Sequence, residues 1–333
     1  MEAILAVDGG GTKTEFMLTS TKGEVLAVKK YKGTNLNSYG FDDAFETLGM
    51  GVMDFFRLAK KNDIKIVGAY FGLAGGVNGS NQKIVYDFFK KKYFANIPFS
   101  NAGDDLNAIN VGVKNAENGI AVIAGTGSNC MIKRDGIVLS NPGLSGWGYL
   151  FDNGASGFDF GRDAIIATKN DYNGTGKRTI ITDMLEKKLH TESVFHSLKS
   201  LYEGGPNYIA SLAPVVFDAY RANDSVAGEI IDNQVQNVAD MVNYAHQIVG
   251  EQKEATVGLV GGIFSHEANV IIPKLSKLID KNLLINVPKE TQIYGALMEA
   301  GKNAGIDMDE KFRKTYNETV KSPLLEQPSK IYE

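Results

Sequence analysis

One structural unit occurs twice in this sequence. Ala3 to Val7 is an apolar run that ends in Asp8-Gly9-Gly10-Gly11-Thr12-Lys13-Thr14. Glu15 to Thr19, a Lys22-Gly23 turn and Glu24 to Tyr31 follow. The same order returns at Gly119 to Ala124, Gly125-Thr126-Gly127-Ser128, Asn129 to Lys133, an Asp135-Gly136 turn and Ile137 to Ser140. Both stretches read as strand, glycine turn, strand, hairpin, strand. A repeat distance of over a hundred residues is no solenoid period. It predicts two similarly folded α/β domains facing one another.

The rest of the chain fits that plan. Apolar residues at 41, 44, 45, 48, 52, 55, 56 and 59 have helical spacing, so Phe41 to Lys61 reads as a helix. Ile64 to Leu73 is a strand ending in Ala74-Gly75-Gly76, and Asn81 to Phe94 is a helix. Residues 156–250 are mainly helical, with a long helix between Asp224 and Val249. Thr256 to Val260 and Leu284 to Val287 read as strands, and Pro273 to Lys281 and Gln292 to Asn303 as helices. The expected domains are 1–113 plus about 292–305, and 114–290 with a helical insertion. A polar tail, 311–333, is expected to pack loosely around Leu324-Leu325.

Composition narrows the function classes. Thirty-five basic and 39 acidic residues leave a net charge of −4, with no basic excess for duplex nucleic acid. Hydrophobic residues at 43 % and charged ones at 22 % exclude a disordered chain. Thirty-seven glycines beside only eight prolines point to tight turns, or to backbone that approaches a ligand closely. The single cysteine, Cys130, excludes an internal disulfide, a Cys-rich zinc site and a Cys-held iron–sulfur cluster within one chain. No run reaches the ~18 apolar residues of a membrane span. The N-terminal apolar run is too short for a signal sequence. The expectation is a cytoplasmic protein with no membrane partner, and a homodimer stays open.

The glycine turns carry the chemistry. Gly9, Gly10 and Gly11 let the backbone turn sharply and aim N–H groups at an anion, with Thr12 and Lys13 beside them. Asp8 at the strand end is suited to a hydrated Mg²⁺, which takes oxygen ligands and keeps several waters. The run is neither a Walker A loop, for no GK[ST] follows, nor GxGxxG. Gly125-Thr126-Gly127-Ser128 repeats the device, and Gly261-Gly262 after a strand lets a flat ring lie on backbone. Asp104-Asp105 opens a helix, which allows one capping and one functional carboxylate. Kinase-type phosphoryl transfer needs such a carboxylate to accept the acceptor's hydroxyl proton. Trp147, the only tryptophan, sits between two glycines in a polar loop and has the setting of a ligand-facing ring.

Together these residues resemble the acetate and sugar kinase, heat-shock chaperone and actin superfamily, and within it the BadF/BadG-type ATPase family, especially its N-acetylglucosamine kinases. The matching runs are Asp8-Gly-Gly-Gly-Thr, Gly33-Thr34-Asn35, Gly125-Thr-Gly-Ser-Asn129-Cys130, Gly146-Trp-Gly148 and Ser156. The resemblance implies two ribonuclease-H-like (actin-like ATPase) domains with an interdomain cleft, the cofactors ATP and Mg²⁺, and a small-molecule sugar as substrate. It implies Thr12 and Thr126 at the phosphates, Asp105 as base toward the sugar O6, and Gly262 and Ser265 near the adenosine. Asn35, Ser128, Asn129, Trp147, Gly148 and Tyr149 would line the sugar pocket, with Gly75, Gly76 and Asp152 on the same side. One departure stands out. The family has Gly-Asp-Glu-Gly-Ser after GWG, and an ungapped match puts its Asp on Asn153, with Asp152 one residue early. Glucosamine or N-acetylmuramic acid therefore remain alternative acceptors, and an ATP-binding module without a sugar remains an alternative function. Repressor-type sugar kinases with a cysteine-rich zinc loop, and dehydratase activators with two cluster cysteines, are excluded by the single cysteine.

Overall fold

The structure is a computed structural model that describes residues 1–76, 79–139 and 144–325. It divides into two compact units, Met1–Val111 with Lys289–Glu333, and Gly112–Pro288.

The first unit holds β1 (Glu2–Gly9), β2 (Lys13–Ser20), β3 (Val25–Lys32), α1 (Leu36–Lys61), β4 (Lys65–Leu73), α2 (Asn81–Lys92), β5 (Phe99–Ala102) and most of α3 (Asp104–Gly112). Its sheet runs β3-β2-β1-β4-β5, antiparallel across β1–β2–β3 and parallel from β1 to β5. Leu5, Val7, Phe16 and Phe71 bury one face against α1 and α2, and Ile4, Ala6 and Met17 bury the other against the C-terminal helices. A sheet covered on both faces needs near-continuous apolar strands, which β1 supplies.

The second unit continues with β6 (Gly119–Ala124), β7 (Ser128–Arg134), β8 (Ile137–Leu139), α4 (Gly157–Tyr172), α5 (Ile181–Leu189), α6 (Leu198–Ala210), α7 (Ala213–Arg221), α8 (Ser225–Val249), β9 (Ala255–Val260), α9 (Gly262–Leu275) and β10 (Leu283–Asn286). The expected strand end at Ser140 lies outside the described residues. Its sheet order, β10-β9-β6-β7-β8, is that of the first unit read from the other edge. The chain then returns to the first unit with α10 (Gln292–Ala304) and α11 (Glu310–Thr319).

Three sequence expectations change. The first long helix starts at Leu36, capped by the Asn35 side chain, and kinks at Gly40 (φ 74°) before the predicted start at Phe41. Pro273 lies inside α9 near its C-terminal end, and residues 276–281 do not continue the helix. That helix forms earlier because Phe264, Ile271 and Leu275 supply its buried face. The tail is not loose over its described part. Phe312 and Tyr316, one helical turn apart, bury a face of α11, with the Tyr316 ring 4.5 Å from that of Tyr294. The Leu324 and Leu325 N–H groups donate to Val25 O and Leu26 O. Residues 326–333 of the predicted tail lie outside the described residues.

Candidate active site

In the first unit the glycine turn is built by close approach. A Cβ at Gly9 would come within 2.4 Å of Thr34 Oγ1, and one at Gly33 within 2.3 Å of Gly11 O. Only glycine allows these contacts. Gly10 N–H donates to Lys13 O at 3.0 Å, Thr34 N–H to Gly10 O at 3.0 Å, and the Tyr39 hydroxyl to Gly11 O at 3.0 Å. Thr14 and Thr34 share a buried hydroxyl bond of 2.8 Å. Asn35 caps α1 by accepting from Asn37 N–H at 2.9 Å. Gly75, at φ 74°, lies against Asn37, so the Gly75-Gly76 turn and the Thr34-Asn35 segment are neighbours.

Asp8 ends β1, and Asp104 and Asp105 open α3, so the sheet delivers three carboxyl groups to one edge of the unit. Asn107 Nδ2 donates to Asp8 Oδ1 at 2.7 Å. Burial pushes Asp8 up to about 6, against the pull of that hydrogen bond. Asp104 is pushed up to about 8, first by burial and then by the charges of Asp8 and Asp105. Asp105 is also raised by burial, but N–H bonds at the helix start oppose the rise. Its Oδ1 accepts from Leu106 N–H at 3.0 Å. The pair the sequence left undivided is thus divided by structure: Asp104 faces Asp8, and Asp105 folds back on the helix start.

The donor set fits Mg²⁺ held through water. Among the described residues no three His, Cys, Asp or Glu side chains converge to cage an ion directly. Asp8 and Asp104 repel one another in a buried setting, and Asn107 Oδ1 beside them is buried with no hydrogen-bond partner among those residues. A hydrated divalent cation relieves both features with oxygen ligands alone.

In the second unit the Gly125–Ser128 turn is tied to a helix start. Gly125 N–H donates to Gly127 O at 2.9 Å, Gly157 N–H to Gly125 O at 2.8 Å, and Phe158 N–H to Thr126 O at 3.1 Å. Ser156 and Asp159 form a reciprocal capping box on α4. A Cβ at Gly127 would meet nothing within 4 Å, so its backbone faces open space. Gly261 (φ 111°) packs on Ala124 O, where a Cβ would come within 2.3 Å, while Gly262 is open and starts α9. The Ser265 hydroxyl turns back to Gly262 O at 3.1 Å.

The tryptophan loop is held from below. Asp152 is buried, and its Oδ2 accepts from Gly146 N–H at 3.0 Å and Gly148 N–H at 2.9 Å. Both glycines have positive φ, near 92° and 94°. Trp147 between them is 74 % exposed, while Tyr149 stacks edge-on to Phe158 at 4.8 Å. Asn129 Oδ1 accepts from Cys130 N–H and from the Ser145 hydroxyl, each at 2.8 Å. Gly154 packs where a Cβ would come within 2.7 Å of Ser128. Asn153, at the family's carboxylate position, accepts from Arg162 and Gln234. Sequence reading missed Asn107, Ser145, Gln234 and Arg162. Nothing in their local sequence distinguishes them from ordinary helix and loop residues.

The two similar units, each with a glycine turn between its first two strands, have the actin-like ATPase fold. The chain belongs to the BadF/BadG/BcrA/BcrD ATPase family, whose sequence profile matches residues 5–300. It is 26 % identical over 311 residues to an N-acetylmuramic acid/N-acetylglucosamine kinase of Clostridium acetobutylicum, covering 90 % of this chain and 98 % of that one. It is 23 % identical over 300 residues to an N-acetyl-D-glucosamine kinase of Dictyostelium discoideum, covering 86 % and 92 %. A solved candidate N-acetylglucosamine kinase from Porphyromonas gingivalis shares the fold with a TM-score of 0.70 at 18 % identity, covering 90 % of this chain and 99 % of that one.

Proposed function

We propose that this chain is an ATP-dependent kinase that phosphorylates an amino sugar, N-acetylglucosamine first, at the O6 hydroxyl. The observation that carries the reading is the carboxylate group of Asp8, Asp104 and Asp105 beside a glycine turn, in a chain whose curated relatives are sugar kinases. Phosphoryl transfer requires mainly positioning and charge stabilisation, plus a carboxylate to take the acceptor's proton. Asp105 fits that role better than Asp104. Its N–H bonds favour the ionised form, whereas Asp104, at about 8, keeps its proton near neutrality. Mg²⁺, when bound, would neutralise charge on the phosphate oxygens, and Asp8 would hold its waters. Gly11 and Thr12 offer N–H and hydroxyl groups to phosphate oxygens on the turn that the Gly10 N–H closes, as do Thr126 and Gly127 in the second unit. Gly262 and Ser265 serve the adenosine. Asn35, Ser128, Asn129 and Tyr149 bind the sugar, Trp147 offers a flat apolar face to it, and Asp152 holds the loop that presents Trp147.

N-acetylmuramic acid is the second reading. It is favoured by Asn153, a neutral amide where the family carries an acid, and a carboxylate-bearing substituent would meet less repulsion there. Rates of ADP release with Mg-ATP and N-acetylglucosamine, N-acetylmuramic acid, glucosamine or glucose decide between them. N-acetylglucosamine is expected to give the highest kcat/KM. Glucose ahead by tenfold would sink the acetamido reading, and turnover of no sugar would leave an ATP-binding module.

A further inference from the structure

Away from the carboxylates and glycine turns, the first unit carries a cavity of about 810 Å³. It opens between β3 at the sheet edge, α1 and the C-terminal turn of α2. That volume lies in the range of sites that bury a small organic ligand. We propose that this cavity is a second ligand site, for a small organic anion with a flat apolar body, such as an aromatic carboxylate or phosphate ester.

The argument starts from charge. The chain is net acidic, yet the cavity is lined by five basic side chains and only two acidic ones, Glu46 and Asp54. Asp54 is already neutralised, since Lys29 Nζ and the Tyr31 hydroxyl both reach its Oδ2 at 2.7 Å. Lys29 is buried in this arrangement, so the trio forms a fixed floor rather than an anion receptor. The rim is different. Arg57, on α1, is exposed and forms no ion pair among the described residues. Strand alternation turns Lys29 and Tyr31 toward α1 and Lys30 and Lys32 to the other face of β3, so Arg57 and Lys92 are the cations a ligand in the cavity would meet. Lys92, also exposed, stands over the Phe88 and Tyr93 rings at 5.1 and 5.2 Å and lines the cavity with them.

The walls supply the second half. Phe45 and Phe88, with ring centroids 4.5 Å apart and planes tilted by 34°, both line the space. Met50 and Met53 are 48 % and 39 % exposed there, although α1 buries Leu48, Val52 and Phe55 beside them. Flexible thioethers adapt to varied ring shapes. Apolar walls, a satisfied polar floor and an unpaired cationic rim favour a ligand that is apolar at one end and anionic at the other. Inorganic phosphate alone would leave the walls unfilled.

The test is isothermal titration of the full chain with 1-naphthyl phosphate, with Mg-ADP saturating so that the nucleotide turns are occupied. One saturable site is expected, weakening as salt rises because the rim charges are exposed. Arg57→Ala with Lys92→Ala should weaken binding about tenfold, and Met53→Trp, which fills the cavity without changing charge, should remove it. Both variants alter exposed residues, and circular dichroism checks that they fold. Inorganic phosphate should bind at least about tenfold more weakly, since it buries no apolar surface. Absence of binding, or equal binding in all variants, overturns the proposal. So does a changed sedimentation coefficient in the variants with unchanged probe binding, which would make the surface a contact between copies of the chain.

Discussion

The two glycine turns share a backbone and differ in chemistry. Each joins the first two strands of a five-stranded sheet of the same order. At the place where the first unit has Asp8, one residue before the last pair of the hairpin, the second has Ile123. The first turn is bordered by Asp104 and Asp105 and packs on Gly33 and Thr34. The second is bordered by the neutral Ser128 and Asn129 and packs on the start of α4. A helix N-terminus and an acidic cluster favour opposite charges. The second turn therefore suits phosphate directly, whereas the first suits phosphate through a cation. One duplicated fold thus yields two turns of different charge by exchanging a handful of side chains.

The largest effect should come from removing the acid that only the first unit has. Asp105→Asn is expected to lower kcat by on the order of 10²–10⁴-fold while nucleotide still binds. Steady-state ADP release with Asp104→Asn alongside tells the two carboxyls apart. If Asp104→Asn loses more turnover than Asp105→Asn, the proton acceptor is Asp104.

The shared backbone predicts a shared sensitivity to side chains. Gly10 and Gly127 each have room for a Cβ, so Gly10→Val and Gly127→Val should fold. Each should nevertheless weaken ATP more than tenfold, about 1.4 kcal/mol, by covering N–H groups. Calorimetric ATP affinity unchanged in folded Gly127→Val would make the second turn purely structural and break the parallel.

A smaller effect is expected at the tryptophan loop, which the first unit lacks. Asp152→Ala deletes two buried acceptor contacts, worth about 1–3 kcal/mol together. KM for the sugar should rise, with KM for ATP nearly unchanged. An equal rise in both would place the loop with the nucleotide.

The smallest signal concerns pH. Asp104 titrates near 8 in the folded chain, far above its ordinary value. The folded state therefore binds this proton more tightly than the unfolded state between about pH 4 and 8. The contribution is present at low pH and is lost as pH rises through 8. Without Mg²⁺, the difference in Tm between wild type and Asp104→Asn should grow unfavourably for wild type by a few degrees from pH 5 to 8.5. Parallel melting curves would mean that Asp104 is not held protonated.

Much of this protein is written in local sequence. The two strand–turn–strand units, the glycine turns and the helix capped by Asp224 follow from side-chain period and from glycines at strand ends, which are short-range properties. The early start of α1 escaped because Asn35 caps it outside the apolar pattern. The packed α11 escaped because Phe312 and Tyr316 stand in a mostly polar segment, where only contact with the β-sheet layer reveals them as core. The division of labour between Asp104 and Asp105 escaped for a stronger reason. Adjacent residues of the same type differ only in which groups surround them, and those groups, Asp8 and the start of α3, meet them through the fold. Asp152 is the same case, since its two glycine N–H donors face it only because positive φ angles curl the loop around it. The sequence by itself determined the duplicated scaffold and the residue types at its turns. Tertiary structure alone decided which carboxyl is buried beside like charge, which holds a loop and which folds back on a helix start, because burial and charge proximity are not local properties of the chain.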